Sequence, residues 1–149
     1  MANIERIKDL ITLLKLDKST ERFNMVQYLY TNDEGNAPLC ESAACIAGHC
    51  MLLAYPNAKV LYSDEIIYDN KVYDVHGEAR NYLGLTTSQA DWLFYGDFRS
   101  APLSQITIDQ AIKALEVLIA HPDIDPLFLN LFDEDGNEIE NAVEDYLNS

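Results

Sequence analysis

Residues 40–51, Cys-Glu-Ser-Ala-Ala-Cys-Ile-Ala-Gly-His-Cys-Met, constrain this chain more than any other stretch. Small and apolar side chains run through them to Ala54, and Pro56 cannot continue a helix. Ser42 is placed to cap one, so the pattern predicts a helix over 43–54. A helix apolar on nearly every side has no face to give to water and belongs inside the fold. The expected architecture is mainly α: a single α+β domain with a central buried helix (43–54) and a small β-hairpin.

The remaining elements follow from periodicity and punctuation. Ile4, Ile7, Leu10, Ile11 and Leu14 recur at three and four and predict a helix over 3–15. Residues 23–30 fit helix or strand, and 31–38 read as a loop. Lys59-Val60-Leu61-Tyr62 suits one short strand. Ile66-Ile67-Tyr68 and Val72-Tyr73-Asp74-Val75 flank Asp69-Asn70-Lys71, which predicts a hairpin. A short helix over 78–83 should end at Gly84. Thr86 with Gln89, and Thr107 with Gln110, have capping-box spacing and open two further helices, stopped by Gly96 and Pro122. Asp135-Gly136-Asn137 marks a turn, and 139–147 a short acidic helix. Trp92, Phe94, Tyr95 and Phe98 surround Leu93 at helical spacing and read as core before recognition patch. Nothing divides 1–149, so one globular domain with an acidic C-terminal region (114–149) is expected.

Charge is the second constraint. Twenty-five acids against ten Lys and Arg give a formal net charge of -15. The last basic residue is Lys113. Beyond it stand Glu116, Asp123, Asp125, Asp133, Glu134, Asp135, Glu138, Glu140, Glu144 and Asp145. Phosphate contacts need Lys and Arg, so direct nucleic-acid binding is excluded, and a basic protein is the favoured partner. Asp133, Glu134, Asp135, Glu138 and Glu140 are the candidate partner-binding residues. The plainer reading of the same acids is solubility. No run approaches the ~18 apolar residues of a membrane span, and the N-terminus carries no signal-peptide core. Three cysteines within eleven positions make no secreted disulfide framework. A cytoplasmic protein without a membrane partner is expected.

Thiols and imidazole raise two chemical alternatives. Cys45 and His49 are four apart and would share a helix face, with Cys40 able to swing towards them. Cys50 lies about 140° round the helix, so the fourth zinc ligand would be His76 or His121. Simple packing competes with this, because free cysteine is among the most buried residue types, and Gly48 would let another backbone approach. For nucleophilic catalysis, Cys40 sits just ahead of the helix start, His76 after a strand could act as base, and Asp74 or Asn81 could orient it. A lone Cys and a lone His always permit such a story, and the strands are too few for a papain-like fold. Asp133-x-Asp135-Gly136 fails as a calcium loop, since positions one and twelve would be Leu131 and Ala142. No cofactor, metal or catalytic residue is therefore assigned, and Cys40 with His76, or Cys40 with Cys45 and His49, stay as alternatives.

Phe23-Asn24-Met25, Cys40 with Cys45-Ile46-Ala47-Gly48-His49, Ala79, Leu83-Gly84-Leu85 and Leu93-Phe94 together carry a resemblance. The chain resembles an uncharacterised family of small bacterial and phage proteins with a Cys-Gly-Thr-x-x-Cys-Ile-Ala-Gly-Trp/His helix motif. It departs in having Glu41-Ser42 for Gly-Thr and in adding Cys50. The resemblance covers roughly 20–120 and implies the helix placement and a bacterial or phage origin, with no activity attached. The expected function is a non-enzymatic acidic interaction protein, a phage-encoded inhibitor of a basic host protein that mimics nucleic acid in its charge. The alternative is a Cys/His-centred metal-binding module or cysteine-dependent enzyme.

Overall fold

A computed structural model describes residues 2–17, 25, 45–62 and 64–149. The first amphipathic repeat forms α1 (Ile4–Asp17), which buries Ile7, Leu10, Ile11 and Leu14 and turns Lys8, Asp9 and Lys15 outward. The apolar segment forms α2 (Ile46–Ala54), with Ile46 through Met51 all buried. Its start corrects the expectation of a Ser42 cap. Cys45, in extended conformation, is the N-cap, so Cys45 lies ahead of the helix and not within it. Residues 43 and 44, the ambiguous 26–30, the loop 31–38, and Phe23, Asn24, Cys40 and Ser42 lie outside the described residues.

Three short strands follow, β1 (Lys59–Tyr62), β2 (Glu65–Tyr68) and β3 (Lys71–Asp74), antiparallel in that order. Asp69 and Asn70 both take positive φ, 52° and 61°, and make the two-residue turn that matches strand twist. Tyr68 therefore pairs with Lys71, and Ile66 with Tyr73. β3 ends one residue earlier than its apolar pattern suggests. Val75 opens α3 (Val75–Leu83), because the Asp74 side chain accepts from Gly77 N and caps a helix there. That helix begins three residues before the expected 78, so His76, which follows β3 as expected, stands in the first turn of α3. Gly84, at φ 67°, closes it in the left-handed conformation.

Both capping boxes form, opening α4 (Thr87–Phe94) and α5 (Ile108–Ala120). The acidic helix is shorter than expected and becomes α6 (Ala142–Leu147). α2 packs against α1, α3 and α4, while α1 and α4 also meet α5. Trp92, Leu93, Phe94 and Phe98 fill the core, as the spacing predicts, and Tyr95 is left half exposed. Burying each such side chain contributes about 1.5–3 kcal/mol. The fold is mainly α with a small three-stranded sheet, and no described helix is long and apolar enough to cross a membrane.

Candidate functional site

The thiols come first. The Cys45 and Cys50 side chains are both fully buried. Burial pushes the Cys45 thiol up to about 11, although the backbone groups of Gly48 and Ala47 at the helix start pull it back. Burial likewise raises Cys50 well above the usual thiol range, and Cys45 adds to that. A thiol held in its protonated form is a poor nucleophile and a poor metal ligand. His49, also fully buried, donates from Nδ1 to the Cys45 carbonyl at 2.8 Å. A carbonyl only accepts, so Nδ1 carries the proton there. Among the described residues no three His, Cys, Asp or Glu side chains converge as a metal site. Cys40, the third member of the expected set, lies outside those residues.

His76 follows β3 in the first turn of α3. Its ring stacks on Tyr95, meets Phe94 edge-on and places Nε2 3.4 Å from Asp91 Oδ1. Asp74, proposed to orient it, instead holds the helix cap through Gly77 N at 2.8 Å. Asn81 is exposed on the last turn of α3, one helical turn and more beyond His76.

The acidic C-terminal region is the more distinctive feature. All ten carboxylates beyond Lys113 are exposed. Among the described residues, the cation that reaches one of them is Lys113, with Nζ 3.1 Å from Glu138 Oε1. The segments that carry them are tied together. Tyr146 of α6 donates its hydroxyl to Asp125 O at 2.6 Å, and Ile139 N bonds Leu131 O at 2.9 Å. An open cleft of about 690 Å³ between α1, α5 and the 132–138 loop is lined by Asp109, Glu116 and Glu138 together with Lys15 and Lys113. Loops and α6 thus present carboxylates from three stretches of chain on one connected framework.

A buried cation underpins that framework. Arg99, only 8% exposed, donates from Nη1 to Gln105 O at 2.7 Å and Gln110 Oε1 at 3.1 Å, and from Nη2 to Glu134 O at 3.2 Å. Gln110 also donates to Gly136 O at 3.3 Å. Gly136 takes φ 85°, and a Cβ there would stand 3.1 Å from both the guanidinium and the Gln110 amide. The acidic loop is therefore clamped onto the core by neutral acceptors, and this clamp uses none of its carboxylates.

Within that loop the five candidate residues do unequal jobs. Asp133 Oδ1 accepts from Asp135 N at 3.0 Å and Asn137 N at 2.9 Å, so it builds the turn. Glu138 is paired with Lys113. Glu134, Asp135 and Glu140 extend exposed. Sequence reasoning named all five by charge alone and could not separate these roles. It also passed over Arg99, whose one signal was being a lone basic residue between two apolar, turn-rich segments. Compared with protein-family profiles, curated proteins and solved structures, the chain shows no significant match.

Proposed function

We propose that the protein is a non-enzymatic binder of a basic protein partner, and that the exposed acids of 116–145 are its recognition surface. The observation that carries this reading is the exposure of all ten carboxylates beyond Lys113, with one ion pair among them in the described residues. Like charges held apart on a fixed framework repel one another, and a cationic partner relieves that repulsion as it docks. A surface of this kind competes with nucleic acid for a basic groove, which suits a phage-encoded inhibitor acting in a bacterial cytoplasm. Of the metal alternative, the described member Cys45 is buried with its thiol pushed up to about 11, which disfavours it as a ligand.

The test is association kinetics with a basic protein captured from bacterial lysate by the full chain. Replacing Glu134, Asp135, Glu140 and Glu144 with Gln, Asn, Gln and Gln should slow association at least tenfold at low salt, with a flatter salt dependence than the parent. Asp133 is left intact because it builds its turn. Equal rates for parent and variant across the salt range would end the electrostatic reading.

A further inference from the structure

Next to the acidic surface the chain exposes an aromatic ring where burial would be expected. In the apolar run 127–132, Leu129, Leu131 and Phe132 are buried, but Leu127 is 45% and Phe128 82% exposed. The turn that carries them is held on both sides. Gln89 Nε2 donates to Pro122 O and Ile124 O, both at 2.9 Å, and Tyr146 fixes Asp125. Leu129 N closes the turn on Pro126 O at 2.9 Å, Trp92 Nε1 donates to Leu129 O at 2.8 Å, and Leu131 N bonds Phe98 O at 2.8 Å. Phe128 is thus an exposed ring on a preorganised turn, which keeps the ordering cost of binding low.

Its surroundings are anionic. A shallow cleft of about 540 Å³ is lined by Phe128, Leu127, Asn130, Ser100 and Asp97. Burial, and then the neighbouring Asp91, raise the Asp97 carboxyl above its usual range, so this acid is poised to gain from a cation. Asp123 and Asp125 stand exposed on the same loop. Arg99 forms part of the wall, but its Nη groups turn inward to Gln105, Gln110 and Glu134. An exposed aromatic face beside a carboxylate is the combination that receives a guanidinium: the plane stacks on the ring and its fork meets the acid. A lysine ammonium, compact and strongly hydrated, gains less from both.

Resting on the acidic-surface reading above, we propose that the Phe128–Asp97 cleft is an arginine pocket, so that the protein selects arginine-rich over lysine-rich basic partners. The probes are two peptides of equal length and charge, octa-arginine and octa-lysine, titrated against the full chain at low salt. The parent should bind octa-arginine at least fivefold more tightly than octa-lysine. Phe128→Ala, at a side chain outside the core, should reduce that preference to less than twofold while leaving octa-lysine affinity unchanged. Asp97→Asn should also reduce the preference to less than twofold, with a small charge-dependent loss shared by both peptides, whereas Glu5→Gln with Asp9→Asn on α1 should leave the preference intact. A preference that survives Phe128→Ala, or no preference in the parent, overturns the arginine pocket while octa-lysine binding still upholds the acidic surface. Binding of neither peptide overturns both.

Discussion

The same substitution at the two capping-box glutamines should have opposite outcomes. Glutamate serves as well as glutamine in the box itself, where the side-chain oxygen accepts from the N-cap N–H. In α4, however, Gln89 is fully buried, and its Nε2 donates to Pro122 O and Ile124 O, both at 2.9 Å. Gln89→Glu removes both donors and sets a carboxylate against two carbonyl oxygens. Each orphaned buried acceptor costs about 1–3 kcal/mol, so the loss at pH 7 should be about 3 kcal/mol or more, or roughly 6–12 °C in Tm for a domain of this size. The introduced carboxyl has its pKa raised in the folded state by burial and those carbonyls. A raised acid contributes its full share of stability below the unfolded value, ~4.3, and loses it as pH rises towards the folded value. The gap between parent and variant should therefore narrow as pH falls to about 4.5. In α5, Gln110 Oε1 already accepts from Arg99 Nη1 at 3.1 Å, and its Nε2 makes only the long 3.3 Å bond to Gly136 O. Gln110→Glu exchanges that weak bond for a charge-assisted one, leaving Tm within about 3 °C of the parent. Calorimetry across pH 4.5–8 measures both. Equal Tm losses for the two variants, or a Gln89→Glu gap that does not change with pH, would refute the reasoning.

Cys45 and Cys50 should resist alkylation in the native protein at pH 8 and react within minutes in denaturant, since burial holds both thiols protonated; mass spectrometry of labelled peptides reads this directly. Gly136→Val should lower stability by about 2 kcal/mol, because it strains a φ of 85° and presses on Arg99 and Gln110; denaturant unfolding measures it. Trp92, the single tryptophan, is fully buried with its indole N–H on Leu129 O. Its emission should be blue-shifted and insensitive to iodide until the protein unfolds. Gly48→Leu should overpack the buried face of α2 by roughly 1–3 kcal/mol, visible as a lowered Tm.

What the sequence discloses here is short-range. The two capping boxes and the Gly84 stop each rest on residues within four positions and formed as read, and the hairpin formed with a turn of Asp69 and Asn70, Lys71 joining the strand. Other features depend on partners far along the chain. Gln89 looks like a capping residue, and nothing local announces its bonds to Pro122 and Ile124. The alternating pattern of Val72, Tyr73, Asp74 and Val75 favours a strand to the end, but the Asp74 cap on Gly77 N turns Val75 into a helix start. Cys45 fits a helix interior by composition, and the extended backbone at its own position makes it the cap. Charge alone picks out the acids of 133–140, yet Asp133 differs from Asp135 only through where its oxygen sits. Nothing local to Phe128 announces its exposure, which goes with the tertiary ties on either side of its turn.

Residue-by-residue titration of the isotope-labelled full chain with octa-arginine, followed by NMR, tests the central claim most directly. At low salt the account predicts amide shifts concentrated at 116–145 and around Asp97, lost again by about 0.3 M salt as screening shortens the reach of the charges. Shifts spread evenly over the surface, centred on α1 or the β-sheet, or persisting at high salt would contradict it.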